Sequence, residues 1–254
     1  MPRFGWKKDT VDERDYRLPL PEKAVYPAEY DLGIQFPERM LPILNQGDIG
    51  SCVFNAGSRA VYFNQIKQKQ SPFMPSRLEW YYWGRFLEGT TGSDEGCSIR
   101  NACKALNRFG VCREDLWKYV RGNLYKEPNA TVMQNAALHK SICYQRVQRN
   151  LDALKDILVV HGFPILFGIA VYPSFDKITK DGIVPLPKLS TEECQGGHGM
   201  EIEGYSDSKG CFRVANSWGK TWGDKGYCWL PYEYVLNAAL ADDFWYIELM
   251  QQSG

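Results

Sequence analysis

Cys52 closes a glycine-broken polar run, NQGDIGSC (45–52), just where apolar residues begin to recur at helical spacing. A thiol in the first turn of a helix lies beside unpaired backbone N–H groups and the positive end of the helix dipole. Both favour the thiolate, which is the nucleophilic form. Taken alone, such a cysteine could equally be a small apolar filler, so a partner base has to be found. Three histidines are available. His139 lies in a polar, helical-looking stretch, and His161 ends a helical pattern where a cation suits the dipole. His198 stands in QGGHGMEIEGY, between glycines that let another chain approach closely. It is the candidate base. Asn216 ends the apolar run FRVAN, where its amide could accept an imidazole N–H and fix the ring's tautomer. Gln46, six residues before Cys52, could aim its amide N–H at a developing oxyanion beside the Cys52 backbone N–H.

The elements that must hold these groups follow from the pattern. From Ser51, read as a helix N-cap, Val53, Ala56, Ala60 and Phe63 share one face. A second helix starts at Ser98, carries Ile99, Ala102, Cys103 and Leu106 inward and stops at Gly110. A third runs from Leu151 to about His161. Beyond it the chain turns to short strand-like runs, 164–172, 199–205, 212–218 and 226–231, separated by turn residues. A helix-rich half followed by a strand-rich half predicts an α+β fold of two unlike lobes. The expected division is an arm over 1–25, a mainly helical lobe over 26–142 and a mainly β lobe over 143–254.

Composition narrows the partners. The 254 residues carry 30 basic and 30 acidic side chains, so no charge excess points to nucleic acid or an anionic membrane. No apolar run reaches the ~18 residues of a membrane span, and the first residues have no apolar leader region. Those features predict a monomer acting on a protein or peptide, with no membrane attachment and no signal peptide. Eight cysteines without a CxxC pair, and only three histidines, argue against a zinc site. Mostly reduced thiols are expected, Cys103 among them on a core face.

The blocks NQGDIGSC, GGHGMEIEGYSD and ANSWGKTWGDKGY, in this order, resemble the three signature blocks of the papain-like cysteine peptidases, over about Tyr26 to Trp245. His198 fits the family's spacing of roughly 130–150 residues from the cysteine, and Asn216 falls somewhat beyond it. Three further stretches are similar to compact bacterial and viral members: GWKKDTVDERDY, SIRNACKALNRFGVCRED and GYCWLPYEYV…DDFW. The resemblance implies a papain-like two-lobe fold with a cleft between the lobes and an endopeptidase without metal or cofactor. Cys52 would attack, His198 would move the proton, Asn216 would orient it and Gln46 would bind the oxyanion. Trp218 would shield the Asn–His bond, Gly96 and Cys97 would edge the substrate groove, and Gly168 and Gly199 would border a roomy S2 pocket. The thiol pKa should then lie well below its ordinary ~8.5.

Departures from the family are Ile49, where a disulfide-bonded cysteine is usual, Val53 in place of an aromatic, and Glu201 and Glu203 in a strand commonly apolar throughout. Two other readings use the same residues: a catalytically silent partner-binding fold, and a transpeptidase or deamidase working through the same thioester. The arm lacks helical period but has Phe4, Trp6, Tyr16 and Leu18 as anchors, with Pro19 and Pro21 favouring extension. It reads as a strap on one lobe or, the favoured alternative, as a gate over the cleft.

Overall fold

The computed structural model describes residues 4–15, 19 and 25–251. Strand β1 (Glu29–Asp31) and the short helix α1 (Leu32–Gln35) precede the long helix α2 (Cys52–Lys67); α3 (Arg77–Glu88), α4 (Ile99–Phe109) and α5 (Ala130–Ala136) follow. The second half holds β2 (Ser141–Arg146), α6 (Leu151–Asp156), β3 (Ile165–Val171), β4 (Gly196–Ser206), β5 (Cys211–Ala215), β6 (Tyr227–Pro231), α7 (Tyr232–Leu236) and β7 (Ala241–Met250). Among the described residues the strands form one antiparallel sheet in the order β2-β7-β3-β4-β5-β6, and β1 adds to β4. This is the α+β architecture that the sequence predicts. Among the described residues no helix is long and apolar enough to cross a membrane.

The three helices expected from Ser51, Ser98 and Leu151 are present, with local differences. The helical-looking stretch at His139 is not a helix: α5 ends at Ala136 and His139 lies in the bend before β2. Ser98 Oγ accepts the Asn101 N–H and Gly110 ends α4 at φ 83°. The 151–161 helix begins at the Asn150 cap and changes to a π-helical turn over Ile157–His161 before Gly162. Ser51 does occupy the N-cap position of α2, but its hydroxyl makes no capping bond. With ψ at 25° the side chain turns instead to Tyr119 and Asn55. Helix α3 is absent from the sequence reading, although Ser76 caps Glu79 and Gly89 ends it in the left-handed region. Its run of buried aromatics hides the one-sided period.

Two cores result. One joins α2, α3 and α4 to the inner side of β7 through Trp245 and Ile247. The other lies between the sheet and α6 and takes in Leu32 and Phe63 from earlier in the chain. Helix α2 therefore runs between both and is buried along most of its length. Its contact with β4 carries charge. Arg59 Nε donates to Glu201 Oε2 at 2.8 Å, and its guanidinium also donates to Glu203, the Leu41 carbonyl and Tyr227. All three charged side chains are almost wholly buried. Burial first, and Glu203 beside it, push the Glu201 carboxyl up against the pull of Arg59. So the polar alternation in β4 is a buried clamp reaching back to α2.

Removing one partner of a buried ion cluster strands the others without compensation. Arg59→Met is expected to cost about 3–5 kcal/mol in urea denaturation, and Glu201→Gln in the same chain should recover part of it. A loss below about 1 kcal/mol, the size of a surface pair, would contradict the clamp.

Candidate active site

Helix α2 places Cys52 in its first turn, fully buried, and β4 brings His198 to the same place. The link is direct: the backbone N–H of Gly199, next after His198, donates to Cys52 Sγ at 3.2 Å. Asn216 follows β5, and its Oδ1 lies 2.7 Å from His198 Nε2. That oxygen also accepts the Ser217 N–H at 2.7 Å, which identifies it as the amide oxygen. His198 Nε2 must therefore donate, leaving the lone pair on Nδ1. Among the described residues Nδ1 has no hydrogen-bond partner. Trp218 covers the imidazole with ring centres 4.8 Å apart and rests on Phe175 and Trp222.

Gln46 is held from three sides. Its Nε2 donates to the Ile49 carbonyl at 2.8 Å and its Oε1 accepts from Ser217 Oγ at 2.7 Å, while its backbone carbonyl accepts from Tyr119. Ser217, unremarked in the sequence, thus fixes both Asn216 and Gln46. The loop before Cys52 and the loop after Asn216 are joined further by pairing of Asn45 with Trp218.

The arm passes through this site. The N–H groups of Gly5 and Trp6 both donate to the Gly197 carbonyl at 3.0 Å. The Gly5 carbonyl accepts from Cys97 N at 2.8 Å, and Lys7 N donates back to the Cys97 carbonyl, a parallel bridge. Phe4 meets His198 edge-on and leans on Trp218. A Cβ on Gly96 would fall 2.0 Å from the Gly5 carbonyl oxygen, so the Gly96–Cys97 edge accepts backbone at close range. Gly168 and Gly199 face each other across β3 and β4 but serve different neighbours. Trp6 lies on Gly168, whereas Gly199 packs on Val53 of α2. The roomy pocket expected from these glycines is a slot filled by Trp6. Tyr16, Leu18 and Pro21 lie outside the described residues.

Burial reverses one expectation. It pushes the Cys52 thiol up to about 11, against N–H donation from Gly199, Val53, Gly5 and Cys52 itself. It also pushes His198 down to about 4, with the Asn216 bond acting the other way. The lowered thiol pKa inferred from the helix start is thus absent in this arrangement, in which burial outweighs the N–H donors and Phe4 of the arm lies against the imidazole. The eight cysteines, Cys52 included, are all unbridged.

The sequence profile described as papain family cysteine protease matches residues 26–244. The chain belongs to the papain family. An uncharacterized peptidase C1-like protein of Acanthamoeba polyphaga mimivirus is 36% identical over 270 residues, covering 96% of this chain and 86% of that protein. Xylellain, a cysteine protease from Xylella fastidiosa, superposes with a TM-score of 0.88 at 38% identity, over 97% of this chain and 96% of that structure. The digestive procathepsin L 3 of Tenebrio molitor shares the fold at 18% identity and a TM-score of 0.72, over 93% of this chain and 75% of that one. The papain-like α+β fold and the cysteine peptidase class expected from the three blocks are thus established. Membership implies protein or peptide substrates.

His198 supplies a pH test. Its folded pKa of about 4 lies below the ordinary 6.5, so folding favours the neutral ring. The stability this contributes is whole above about 6.5 and is lost as pH falls toward 4. The melting temperature of the full chain should drop across that interval, and His198→Gln should remove that part of the drop. An unchanged slope in the variant would contradict a buried neutral ring.

Proposed function

We propose that this papain-family member is an endopeptidase held latent by its own N-terminal arm, with Cys52 as nucleophile and His198 as general base and acid. The observation that carries the reading is the fixed tautomer of His198, with Nε2 committed to Asn216 and the Nδ1 lone pair left without a partner among the described residues. In the open form, Nδ1 takes the Cys52 proton and Sγ attacks the peptide carbonyl carbon. The carbonyl electron pair moves to oxygen, where the Gln46 amide and the Cys52 backbone N–H donate to it. The oxyanion collapses, the C–N bond breaks and His198 returns the proton to the leaving amine. Water, deprotonated by the same ring, then hydrolyses the thioester. No step calls for a metal or cofactor. Trp218 keeps water from the Asn216–His198 bond.

Latency is supported by what the arm occupies. Its backbone takes the hydrogen-bonding edge at Cys97 and the carbonyl of Gly197, on either side of the thiol, and Phe4 lies against the base. In that closed form both reacting groups are neutral between about pH 4 and pH 11. Lifting the arm hydrates them and lets the thiolate–imidazolium pair form. A silent partner-binding fold is not favoured, because the cysteine, histidine, asparagine and glutamine are all retained.

Cys52→Ala is expected to abolish hydrolysis of a short fluorogenic peptide without lowering the melting temperature. Deleting residues 2–15 should raise kcat/KM at least tenfold and bring the midpoint for Cys52 alkylation by iodoacetamide below about pH 8. Activity retained by Cys52→Ala would end the nucleophile assignment, and unchanged kcat/KM in a destabilised deletion would make the arm a strap.

The arm's hold should depend on pH through Asp9. Burial, and then Asp243 beside it, raise this carboxyl from 3.8 to about 6, against the Trp245 bond and Arg100. Arg146 at 3.2 Å also faces it, as does the Arg100 N–H, and Asp15 shares both arginines. A raised pKa in the docked state means that docking is strongest below about 4 and weakens as pH rises through 6. The alkylation rate of the full chain, relative to the arm-deleted chain, should climb between pH 4.5 and 6.5, and Asp9→Asn should flatten that climb. A ratio falling with pH would refute the sign.

A further inference from the structure

The slot that Trp6 fills is built for more than bulk. Its floor is Gly168, where a Cβ would lie 1.9 Å from the indole Cε2, and its flank is Gly197, where a Cβ would lie 2.9 Å from Cε3. Any side chain at either position would run into the ring, so the indole is seated there only because both positions are glycine. At its far end is the carboxylate of Asp243, wholly buried and held on backbone at φ 57°. Trp6 Nε1 donates to Asp243 Oδ2 at 3.1 Å and the Asp9 backbone N–H donates to the same oxygen at 2.7 Å. Arg146 Nη2 takes Oδ1 at 2.7 Å. Both donors to Oδ2 therefore belong to the arm.

When the arm leaves, that oxygen stays at the end of a narrow slot with neither donor. An incoming side chain that buries this oxygen again without supplying an N–H strands the acceptor at a cost, so one that restores the N–H gains that difference. A cation is the obvious candidate, but the charges oppose it. The arm carries away Asp9 and Asp15, which pair with Arg100 and Arg146. What remains around Asp242 and Asp243 is Arg146 and Arg149, two guanidinium groups that already match the two carboxylates. A neutral, flat side chain tipped with an N–H meets both conditions.

We propose that Asp243 is a specificity-determining residue and that this slot selects tryptophan in the substrate, the residue its own arm uses to fill it. The proposal rests on the arm-gated peptidase reading for its meaning as substrate selection, though the slot itself can be tested without catalysis.

The test uses the chain lacking residues 2–15 and carrying Cys52→Ala, which empties the slot, removes both arm donors and cannot cut. Acetylated hexapeptide amides of the arm sequence Phe-Gly-X-Lys-Lys-Asp are titrated against it, with X as tryptophan, 1-methyltryptophan, phenylalanine or arginine. The methyl group keeps the ring and removes the donor. Tryptophan is expected to bind at least about tenfold more tightly than 1-methyltryptophan, as a hydrogen bond to a charged acceptor warrants, and arginine no better than phenylalanine. Asp243→Asn should abolish the preference: Arg146 would hold the amide oxygen, turning an NH₂ toward the slot, and asparagine tolerates the positive φ. Equal binding of tryptophan and 1-methyltryptophan, tighter arginine, or no binding to millimolar concentration would each overturn the proposal. The arm-deleted chain with Cys52 intact is then given fluorogenic peptides that differ only in these residues. The same order in kcat/KM supports substrate selection. Binding in that order without any hydrolysis leaves the slot standing and refutes the peptidase reading instead.

Discussion

The contact between α2 and β4 is the constraint on which the site depends. A nucleophile on a helix and a base on a strand work together only if helix and strand keep one register. Here the register is set at two places. At one end Gly199 lets Val53 come against the strand backbone, which is also what brings its N–H to Cys52 Sγ. Two helical turns along, Arg59 closes on Glu201 and Glu203. An apolar contact tolerates sliding, whereas a guanidinium spanning two carboxylates in a dry interior does so poorly, because each misplaced charge loses its partner. The oddest feature of the strand is thus the one that fixes the geometry of the chemistry.

A second layer surrounds that contact. Ser217 ties Asn216 and Gln46 together, so the proposed orienting group and the proposed oxyanion donor cannot drift apart. Trp218 packs over the imidazole, and Phe4 of the arm completes the cover. The closed molecule is therefore dry at its reactive centre, which explains the high thiol and low imidazole pKa values better than any property of the helix dipole. Helix dipoles favour the thiolate by a modest amount near the surface; full burial outweighs them.

Much of this was legible in the sequence. Cys52, His198 and Asn216 could be picked out as candidates because glycines, a helix start and a strand end are short-range signals. Each alone reads more readily as structural, and only the three blocks in order set them apart. The strands from 164 to 231 carry clear punctuation. What escaped reading depends on distance in the chain. Helix α3 bears its Ser76 and Gly89 signals, but a segment buried on most sides loses the period that reveals a helix. Glu201 and Glu203 look misplaced until Arg59, 142 residues away from the first of them, is seen between them. Ser217 and Asp243 have no local signature, because each acts through groups brought in from elsewhere. The thiol's raised pKa could not be read because it comes from complete burial, which only the tertiary packing creates.

The arm being part of the same chain sets the terms on which it competes. A tethered segment meets its groove at an effective concentration in the millimolar range, far above that of any dilute peptide, so even modest affinity keeps the groove filled. The balance is reversible while the tether is intact. One cut between the docked residues and the body of the molecule would turn the arm into a separate short peptide, diluted to the concentration of the protein itself. Occupancy would then collapse without the loss of a single contact in the groove, and nothing in the fold could restore it.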